Sequence, residues 1–289
     1  MTVSTFTAAE QGRGYLDLMK LRVVELLLVT TVPALVLAEG KLPGLVVTAA
    51  SIIGGTLAAG AANAYNMIIE SDIDKLMART AKRPLVTGVL NKVQATVFAT
   101  IVAILSLVIF WVFTTPLATL LTLIAIVFYV VVYTMGLKRR TAQNIVWGGA
   151  AGCMPVFIGW AAVTNSLSWT AVAFFMVIFF WTPPHFWALA LRIGADYAAA
   201  GVPMLPVTAG PAETARQIWL SIFGLRLSHG ITRIRFTLGS LLLRIGKSPT
   251  KADALTLFCV PCSSYACRSV GHQPLAKTAA RAKQRPSFF

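Results

Sequence analysis

The sequence predicts an all-α, polytopic transmembrane helical bundle, and its composition and its apolar runs are the two main reasons. Hydrophobic residues make up 57% of the 289 residues and charged residues only 12%, with a mean hydropathy of +0.74. A soluble domain does not need so much apolar surface. Apolar runs of about 20 residues can cross the roughly 30 Å hydrocarbon layer as helices. We place six spans, at residues 22–38, 45–68, 93–113, 116–137, 146–163 and 168–191.

The basic residues outside these spans lie almost entirely on one side of the predicted membrane. Up to residue 220, the N-terminus and the segments 69–92, 138–145 and 192–216 hold thirteen Lys and Arg residues, whereas the opposite segments hold only Lys41. Cytoplasmic loops of membrane proteins carry such an excess. We therefore predict a multi-pass protein of the cell inner membrane with its N-terminus and active-site loops in the cytoplasm.

The second span runs into a polar stretch, NMIIESDIDKLMARTAKRPLVTG at residues 66–88. If this stretch is helical, Asn66, Glu70 and Asp74 recur every four residues and form one stripe roughly 12 Å long. Asp72 then points elsewhere, as a helix-end or loop residue. Two carboxylates and an amide suit Mg²⁺, which takes oxygen ligands and often binds substrate phosphates as well. We predict the three stripe residues to be the metal ligands and the catalytic centre, because charge at a membrane surface is usually functional.

Basic residues follow this stripe and also follow the fourth span. Those after the stripe can pair with phosphate oxygens, and acids beside bases are the pattern expected for a metal–diphosphate site. Those after the fourth span either only set the topology or contact an anionic substrate. The residues are Arg79, Lys82 and Arg83 in the first group and Lys138, Arg139 and Arg140 in the second.

The stretch NMIIESDIDKLMARTAKRPL resembles the first signature of the intramembrane aromatic prenyltransferase superfamily, Asn-x-x-x-Asp-x-x-x-Asp, with Glu70 at the middle position. Glu70 keeps the carboxylate and adds one methylene. Three more stretches, LKRRTAQNIV, WTPPHFWALALR and DYAAAGVPMLPV, resemble its haem-farnesylating family, the protohaem IX farnesyltransferases or haem O synthases, and the resemblance covers residues 15–220. It implies nine transmembrane helices around a central cavity and Mg²⁺-dependent transfer of a farnesyl group from farnesyl diphosphate to a vinyl group of haem B, giving haem O.

The resemblance also implies roles for residues in the later loops. Arg140 and His185 are expected on the haem side, with His185 as iron ligand, propionate contact or simple packing residue. The second acidic signature of the superfamily falls at Asp196 and Tyr197, but Ala200 stands at its second Asp position. Either one metal suffices, or Asp196 orients basic groups. Lys138 and Arg139 are expected to face the diphosphate.

The sixth span is rich in aromatic residues, which favour a dry pocket for an allylic cation as well as ordinary packing against helices or lipid. Ring faces attract cations, and this is the functional interpretation. The residues are Phe174, Phe175, Phe179, Phe180, Trp181, Phe186 and Trp187.

The expected partners are farnesyl diphosphate, haem B, the lipid bilayer and the downstream haem A synthase, with no nucleic acid. Two other functions remain as alternatives. One is a prenyltransferase for a quinone precursor, which the KRRT, PHFWALALR and DYAAAGVPMLPV stretches disfavour. The other is a membrane transporter, whose ionisable groups would spread through the membrane midplane, whereas the acids and bases of this chain cluster at one face.

Residues 221–289 differ from the prenyltransferase domain that we assign to residues 1–220. The net charge is +5 up to residue 220 and +10 after it, and no later run reaches 18 apolar residues. The segment starting at residue 224 could be a basic amphipathic helix on the membrane surface. Cys259 and Cys262 form a C-x-x-C pair, but neither a second Cys pair nor His residues at the spacing of a zinc site follow it. We prefer an altered reading frame after about residue 221.

Resequencing of the encoding DNA should therefore reveal an open frame in another register that encodes three apolar runs. If residues 221–289 are the true terminus, we expect an inactive or unstable protein, because a third of a nine-helix bundle is missing and several Arg residues would each cost about 2.5–3.5 kcal/mol at the bilayer centre. Three well-packed membrane helices within residues 221–289 would contradict this prediction.

Overall fold

A computed structural model describes residues 6–77, 80–192 and 194–244 of the chain, and the side chains of a few of these, including residues 229–244, are not described. Every regular element in this part of the chain is helical. The elements are α1 (Ala8–Met19), α2 (Leu21–Glu39), α3 (Leu45–Ile69), a 3₁₀ turn (Ile73–Lys75), α4 (Pro84–Thr87), α5 (Lys92–Phe113), α6 (Pro116–Val127) with a π-helical extension (Phe128–Leu137), α7 (Asn144–Thr164), α8 (Trp169–Arg192), α9 (Gly194–Ala199), α10 (Leu205–Thr208) and α11 (Gly210–Arg244).

Five of these helices are long and apolar enough to cross a membrane, and they confirm five of the six predicted spans to within two residues. They are Leu45–Ile69, Lys92–Phe113, Pro116–Leu137, Asn144–Thr164 and Trp169–Leu191. The first predicted span, 22–38, lies within α2. In that helix the apolar part is Leu27–Glu39, which is shorter than a full span. The fold class is therefore the predicted one, a multi-pass helical membrane bundle.

Local sequence signals account for where several helices begin and end. A capping box of Thr7 and Glu10 starts α1, and another of Asn91 and Gln94 starts α5. In both, the two side chains satisfy backbone N–H groups that have no partner within the helix. Gly40 ends α2 with a left-handed backbone, φ 75°, a conformation that favours glycine.

Small residues let the helices of the bundle approach closely. The α3 helix packs mainly against α5, and α7 lies against α2, α6 and α8. Gly54 of α3 lies under the buried ring of Phe110, and the Ser106 hydroxyl donates to the Gly54 carbonyl at 2.8 Å. Gly159 of α7 similarly lies against the backbone of Thr31 in α2. Such contacts are typical of membrane bundles, where close packing replaces the hydrophobic effect between helices.

The C-terminal half of the fourth span changes from α-helix to π-helix. From Phe128 to Leu137 the ladder shifts by one residue, so that the Lys138 N–H donates to the Tyr133 carbonyl. The Thr134 hydroxyl likewise donates to the Tyr129 carbonyl at 2.8 Å. π-helical segments are rare and occur frequently at functional sites. Here the segment carries Thr134, and Lys138 follows it directly. Both side chains contact the polar end of α3.

The last described helix, α11, packs against α8 and runs without a break across residue 221, where we place the altered reading frame. Residues 245–289 lie outside the described part of the chain, so the absence of three spans beyond residue 220 stays a prediction.

The contact between Gly54 and Phe110 yields a stability prediction. A Cβ at Gly54 would stand 2.9 Å from the Phe110 ring, whereas one at Gly55 would meet only a Leu28 methyl at 4.0 Å. Both Gly→Ala changes raise helix propensity by about 1 kcal/mol, but Gly54→Ala also overpacks the core at a cost of about 1–3 kcal/mol. Gly54→Ala should therefore unfold at a lower temperature in detergent than Gly55→Ala. Equal melting temperatures would contradict the described packing.

Candidate active site

The three residues of the predicted stripe are buried together at the end of α3, but they do not lie on one helix. Asn66 is in the last turn, Glu70 caps the helix with φ −94°, and Asp74 belongs to the following 3₁₀ turn. The prediction of a continuous helical stripe is wrong, because the α-helix stops at Ile69. The Asp74 N–H still donates to the Glu70 carbonyl at 2.9 Å. The exposed fractions of Asn66, Glu70 and Asp74 are only 2%, 3% and 1%.

Each of these three polar residues contacts one basic side chain from a different part of the chain. The Lys20 ammonium, between α1 and α2, donates to Asn66 Oδ1 at 3.1 Å. Lys138, at the end of the π-helix, forms an ion pair with Glu70. Arg83, just before α4, donates from Nη1 to Asp74 Oδ2 at 2.5 Å. We call the three stripe residues and these three cations the buried charge cluster.

Lys20 is the member of the cluster that the sequence analysis treated only as a topology signal. Its backbone is left-handed, with φ 50° and ψ 53°, a conformation that costs a non-glycine residue free energy and often marks functional sites. Burial, together with the nearby charges of Arg83 and Lys138, lowers the pKa of the Lys20 ammonium to about 7. Its position just after an amphipathic helix was the available sequence signal, but its contact with Asn66 spans 46 residues.

The Asn66 amide is held by a second contact that was not predicted. Its Nδ2 donates to the Thr134 hydroxyl at 3.3 Å, and that hydroxyl is oriented by its own bond within the π-helix. The side-chain amide thus has its nitrogen directed at Thr134 and its oxygen at Lys20. A fixed amide oxygen next to two carboxylates is suited to bind a hard cation.

Two buried carboxylate oxygens in the cluster have incomplete hydrogen bonding within the described part of the chain. Asp74 Oδ1 has no hydrogen-bond partner, and Glu70 Oε1 contacts Lys138 without hydrogen-bond geometry. The described residues hold no group of three or more His, Cys, Asp and Glu side chains suited to a metal. Mg²⁺ does not require one, because it is commonly held by one or two carboxylates, waters and substrate phosphates. The residues present therefore fit Mg²⁺.

The second predicted acidic segment packs directly against this region. Half-buried Tyr197 lies against a cluster that includes Ile73 and Met77 of the first loop. The Asn144 side chain donates to the Lys138 carbonyl at 3.1 Å and to the Pro203 carbonyl at 3.5 Å, and so joins the segment that follows the π-helix to the second acidic loop. The side chain of Asp196 and the whole of Arg79 lie outside the described residues, so their predicted roles are not tested.

Four other predicted site residues lie outside the buried charge cluster. Lys82 and Arg140 are exposed, and Arg139 pairs with Asp72 on the surface. His185 is also exposed, and its ring stacks on Trp181 at 4.8 Å between centroids.

The aromatic residues of α8 divide between core and stack. Phe174 and Trp187 are buried in the core. Phe175 stacks on Phe157 of α7 with a centroid distance of 4.5 Å, and Phe179 stacks on Phe175 at 6.2 Å. The stack and the Trp181–His185 pair retain ring faces that a ligand could meet, whereas the two core rings serve packing.

This fold and this charged end of the bundle define a membrane prenyltransferase, and the chain belongs to the UbiA prenyltransferase family, whose sequence profile matches residues 27–267. Curated relatives named protoheme IX farnesyltransferase are 55% identical in Renibacterium salmoninarum, over 212 residues, and 55% in Streptomyces coelicolor, over 206 residues. A relative of the same name from Frankia casuarinae is 54% identical over 208 residues.

These alignments cover 73%, 71% and 72% of this chain and 67%, 65% and 72% of the relatives. The chain thus spans about two thirds of the length of the curated relatives it matches.

Solved structures share the fold at low sequence identity. A UbiA homologue from Archaeoglobus fulgidus, solved with DMAPP and Mg²⁺, has a TM-score of 0.61 at 15% identity and covers 89% of this chain and 97% of its own. A structure from work on digeranylgeranylglyceryl phosphate synthase in membranes has a TM-score of 0.66 at 17% identity, covering 90% and 92%. These likenesses confirm the bundle architecture.

The two adjacent ion pairs at the end of the π-helix make a second stability prediction. Lys138→Met leaves the buried Glu70 carboxylate without its cation, a change that costs about 3–5 kcal/mol. Arg139→Met breaks an exposed pair with Asp72, worth about 0–1 kcal/mol. In thermal unfolding in detergent without ligands, Lys138→Met should melt well below Arg139→Met. The reverse order would contradict the described burial of Glu70.

Proposed function

We propose that this chain transfers the farnesyl group of farnesyl diphosphate to a vinyl group of haem B, with solvent water adding to the resulting cation and losing a proton, to give haem O and diphosphate in a reaction that requires Mg²⁺. Three findings support the proposal. The chain belongs to a prenyltransferase family, relatives at 54–55% identity are named protoheme IX farnesyltransferase, and the buried charge cluster fits a metal and a diphosphate. The proposal depends chiefly on the buried charge cluster, because this cluster is observed in the chain itself.

The cluster holds more positive than negative charge. Glu70 and Asp74 are matched against Lys20, Arg83 and Lys138, and the amide of Asn66 adds no charge. Asp74 Oδ1, Glu70 and Asn66 would hold the metal ion, whose positive charge would favour release of the three basic side chains from these partners. A diphosphate beside the metal then gives the released side chains new anionic partners. We infer that this exchange of partners underlies joint binding of metal and diphosphate.

The same basic groups serve the chemical step. Heterolysis of the allylic C–O bond moves negative charge onto the diphosphate, and Lys20, Arg83 and Lys138 stabilise that charge where it develops. When bound, Mg²⁺ neutralises part of it as a Lewis acid. Arg83 can offer two parallel N–H groups to phosphate oxygens, which an ammonium group cannot do.

For the isoprenoid chain of the donor and for the haem acceptor we propose the faces of α7 and α8. The stacked rings of Phe157, Phe175 and Phe179 offer apolar, electron-rich faces to an isoprenoid chain and its cation. His185 and Arg140 are exposed, and either can meet a haem propionate. The propionates are anionic and would lie at the charged end of the bundle. The excess of Lys and Arg in the loops supports a cytoplasmic location for this end. We propose that haem O would pass from there to a downstream enzyme such as haem A synthase.

The deciding experiment is incubation of membranes that contain the chain with haem B, farnesyl diphosphate and Mg²⁺, followed by chromatography of the extracted haems. A parallel incubation uses 4-hydroxybenzoate, which tests the alternative of a quinone precursor. The assay is run on the chain with its present residues 221–289 and on a chain in which the segment after about residue 221 is translated in the corrected reading frame. Haem O in either supports the proposal, whereas prenylated benzoate alone, or no product from both, overturns it.

A variant of the predicted metal ligand separates metal binding from folding. Asp74→Asn keeps the size of the side chain but removes the charge and one acceptor oxygen, so activity should fall by at least about 100-fold at any Mg²⁺ concentration. Glu70→Asp restores the superfamily pattern and should keep activity within about tenfold of the wild type. Chromatography of haem O over a Mg²⁺ titration checks both variants. Near-normal Mg²⁺-dependent activity of Asp74→Asn would show that the metal assignment is wrong.

Adjacent basic residues give a matched test of the diphosphate site. Arg83 is in the cluster and Lys82 is exposed. Arg83→Ala should raise the KM for farnesyl diphosphate by about tenfold or more, because a charge-assisted contact is lost, and should change the KM for haem B much less. Lys82→Ala should have the smaller effect on both, and Arg83→Lys should rescue only partly. Equal KM changes for the two substrates would count against a diphosphate role for Arg83.

A further inference from the structure

Asp72 and Arg139 form an ion pair on the outer side of the buried charge cluster. Arg139 Nη1 donates to Asp72 Oδ2 at 2.9 Å, and Arg139 Nη2 donates to Asp72 Oδ1 at 2.8 Å. The same Nη2 also donates to the carbonyl of Ile69, the last residue of α3, at 3.2 Å. One guanidinium group thus holds both the end of the helix and the middle of the loop that follows it.

The location of this pair matters because Asp72 lies between the two buried carboxylates, two residues after Glu70 and two before Asp74. Arg139 directly follows Lys138, which pairs with Glu70. Two consecutive residues therefore contact the same loop: Lys138 pairs with a buried residue, Glu70, and Arg139 pairs with an exposed one, Asp72. Arg139 also accounts for the helix end that the sequence did not predict, because its Nη2 binds the Ile69 carbonyl where the chain leaves α3.

The geometry of the pair indicates a specific contact. Both Asp72 oxygens are used, and a bidentate arrangement fixes orientation as well as distance. Three of the five N–H donors of Arg139 go to the loop and the helix end, and its Nη1–Nη2 edge, which could bind a phosphate with two parallel hydrogen bonds, is taken by Asp72.

We propose that Asp72 and Arg139 form a latch that holds residues 70–74 in the metal-binding geometry, so that Arg139 is a positioning residue rather than the diphosphate ligand that the sequence analysis expected. The inference rests on the proposed function for its kinetic test. Loss of the Asp72–Arg139 pair keeps Glu70 and Asp74 themselves but removes a contact that fixes the position of the loop on which they lie. Outer partners of this kind typically affect metal affinity by about 10–100-fold.

The test uses Asp72→Arg, Arg139→Asp and the double charge reversal, each assayed for two quantities. The first is the Mg²⁺ concentration that gives half-maximal haem O formation, and the second is the KM for farnesyl diphosphate at saturating Mg²⁺. We expect each single variant to raise the first by about tenfold or more and the second by less than about threefold. The double variant should recover at least half of the loss on a logarithmic scale.

A matched control exists on α11. Arg216 donates to both oxygens of Glu213 at 2.8 Å, and this pair is also exposed. Glu213→Arg and Arg216→Glu should leave the Mg²⁺ requirement unchanged. A second readout does not depend on turnover: Mn²⁺ binding to the purified chain, with inorganic diphosphate present, followed by electron paramagnetic resonance. The single latch variants should weaken Mn²⁺ binding by a similar factor, and Arg139→Lys should fall between them and the wild type.

The possible results separate this inference from the proposed function. If Arg139→Asp raises the KM for farnesyl diphosphate while Asp72→Arg does not, Arg139 is a substrate ligand and the latch is wrong. If both variants lower the melting temperature but leave the Mg²⁺ and Mn²⁺ requirements unchanged, the pair is merely structural and the inference is also wrong. If neither the chain nor its frame-corrected form makes haem O but the variants weaken Mn²⁺ binding, the latch stands and the proposed function fails.

Discussion

The need to pair each buried charge of one short acidic segment governs this end of the bundle. Glu70 and Asp74 are almost fully buried, and an unpaired buried carboxylate would be strongly destabilising. Their cations, Lys138 and Arg83, come from the end of the π-helix and from the segment before α4. Lys20 contacts the same segment from the junction of α1 and α2. The positions of these elements are therefore set by one electrostatic requirement.

That requirement links the structure of the chain without ligands to its proposed chemistry. Groups suited to bind a metal and groups suited to bind a diphosphate are neutralised by each other, which allows both to remain buried at the membrane surface. Such a site should bind neither ligand well alone, because a metal would have to displace cations that then lack partners. Bound together, metal and diphosphate supply every displaced group with a new partner. The proposed reaction needs both ligands, so the arrangement suits it.

The membrane-spanning helices could be predicted, because the length of an apolar run alone decides whether it can cross the bilayer as a helix. Five spans agree with the described helices to within two residues, since only long apolar helices satisfy their backbone groups in lipid. The span 45–68 matches α3, but that the helix stops at Ile69 and does not continue to Asp74 could not be predicted, because nothing in the residues Glu70–Asp74 breaks a helix. Tertiary contacts, including the hydrogen bond from Arg139 to Ile69, accompany that end. The place of Lys20 in the buried charge cluster could not be predicted, because its contact with Asn66 spans 46 residues. Which of Lys82 and Arg83 enters the cluster could not be predicted either, because it depends on a turn whose direction is not visible in the sequence.

Binding measurements with Mg²⁺ and farnesyl thiodiphosphate, an analogue that resists ionisation, test this exchange of partners most directly. Titration calorimetry on the purified chain in detergent would give the affinity for each ligand with and without the other. We predict that each ligand raises the affinity for the other by the same factor, about tenfold or more, as thermodynamic linkage requires of coupled sites. Affinities for Mg²⁺ that are the same with and without the analogue would contradict the account.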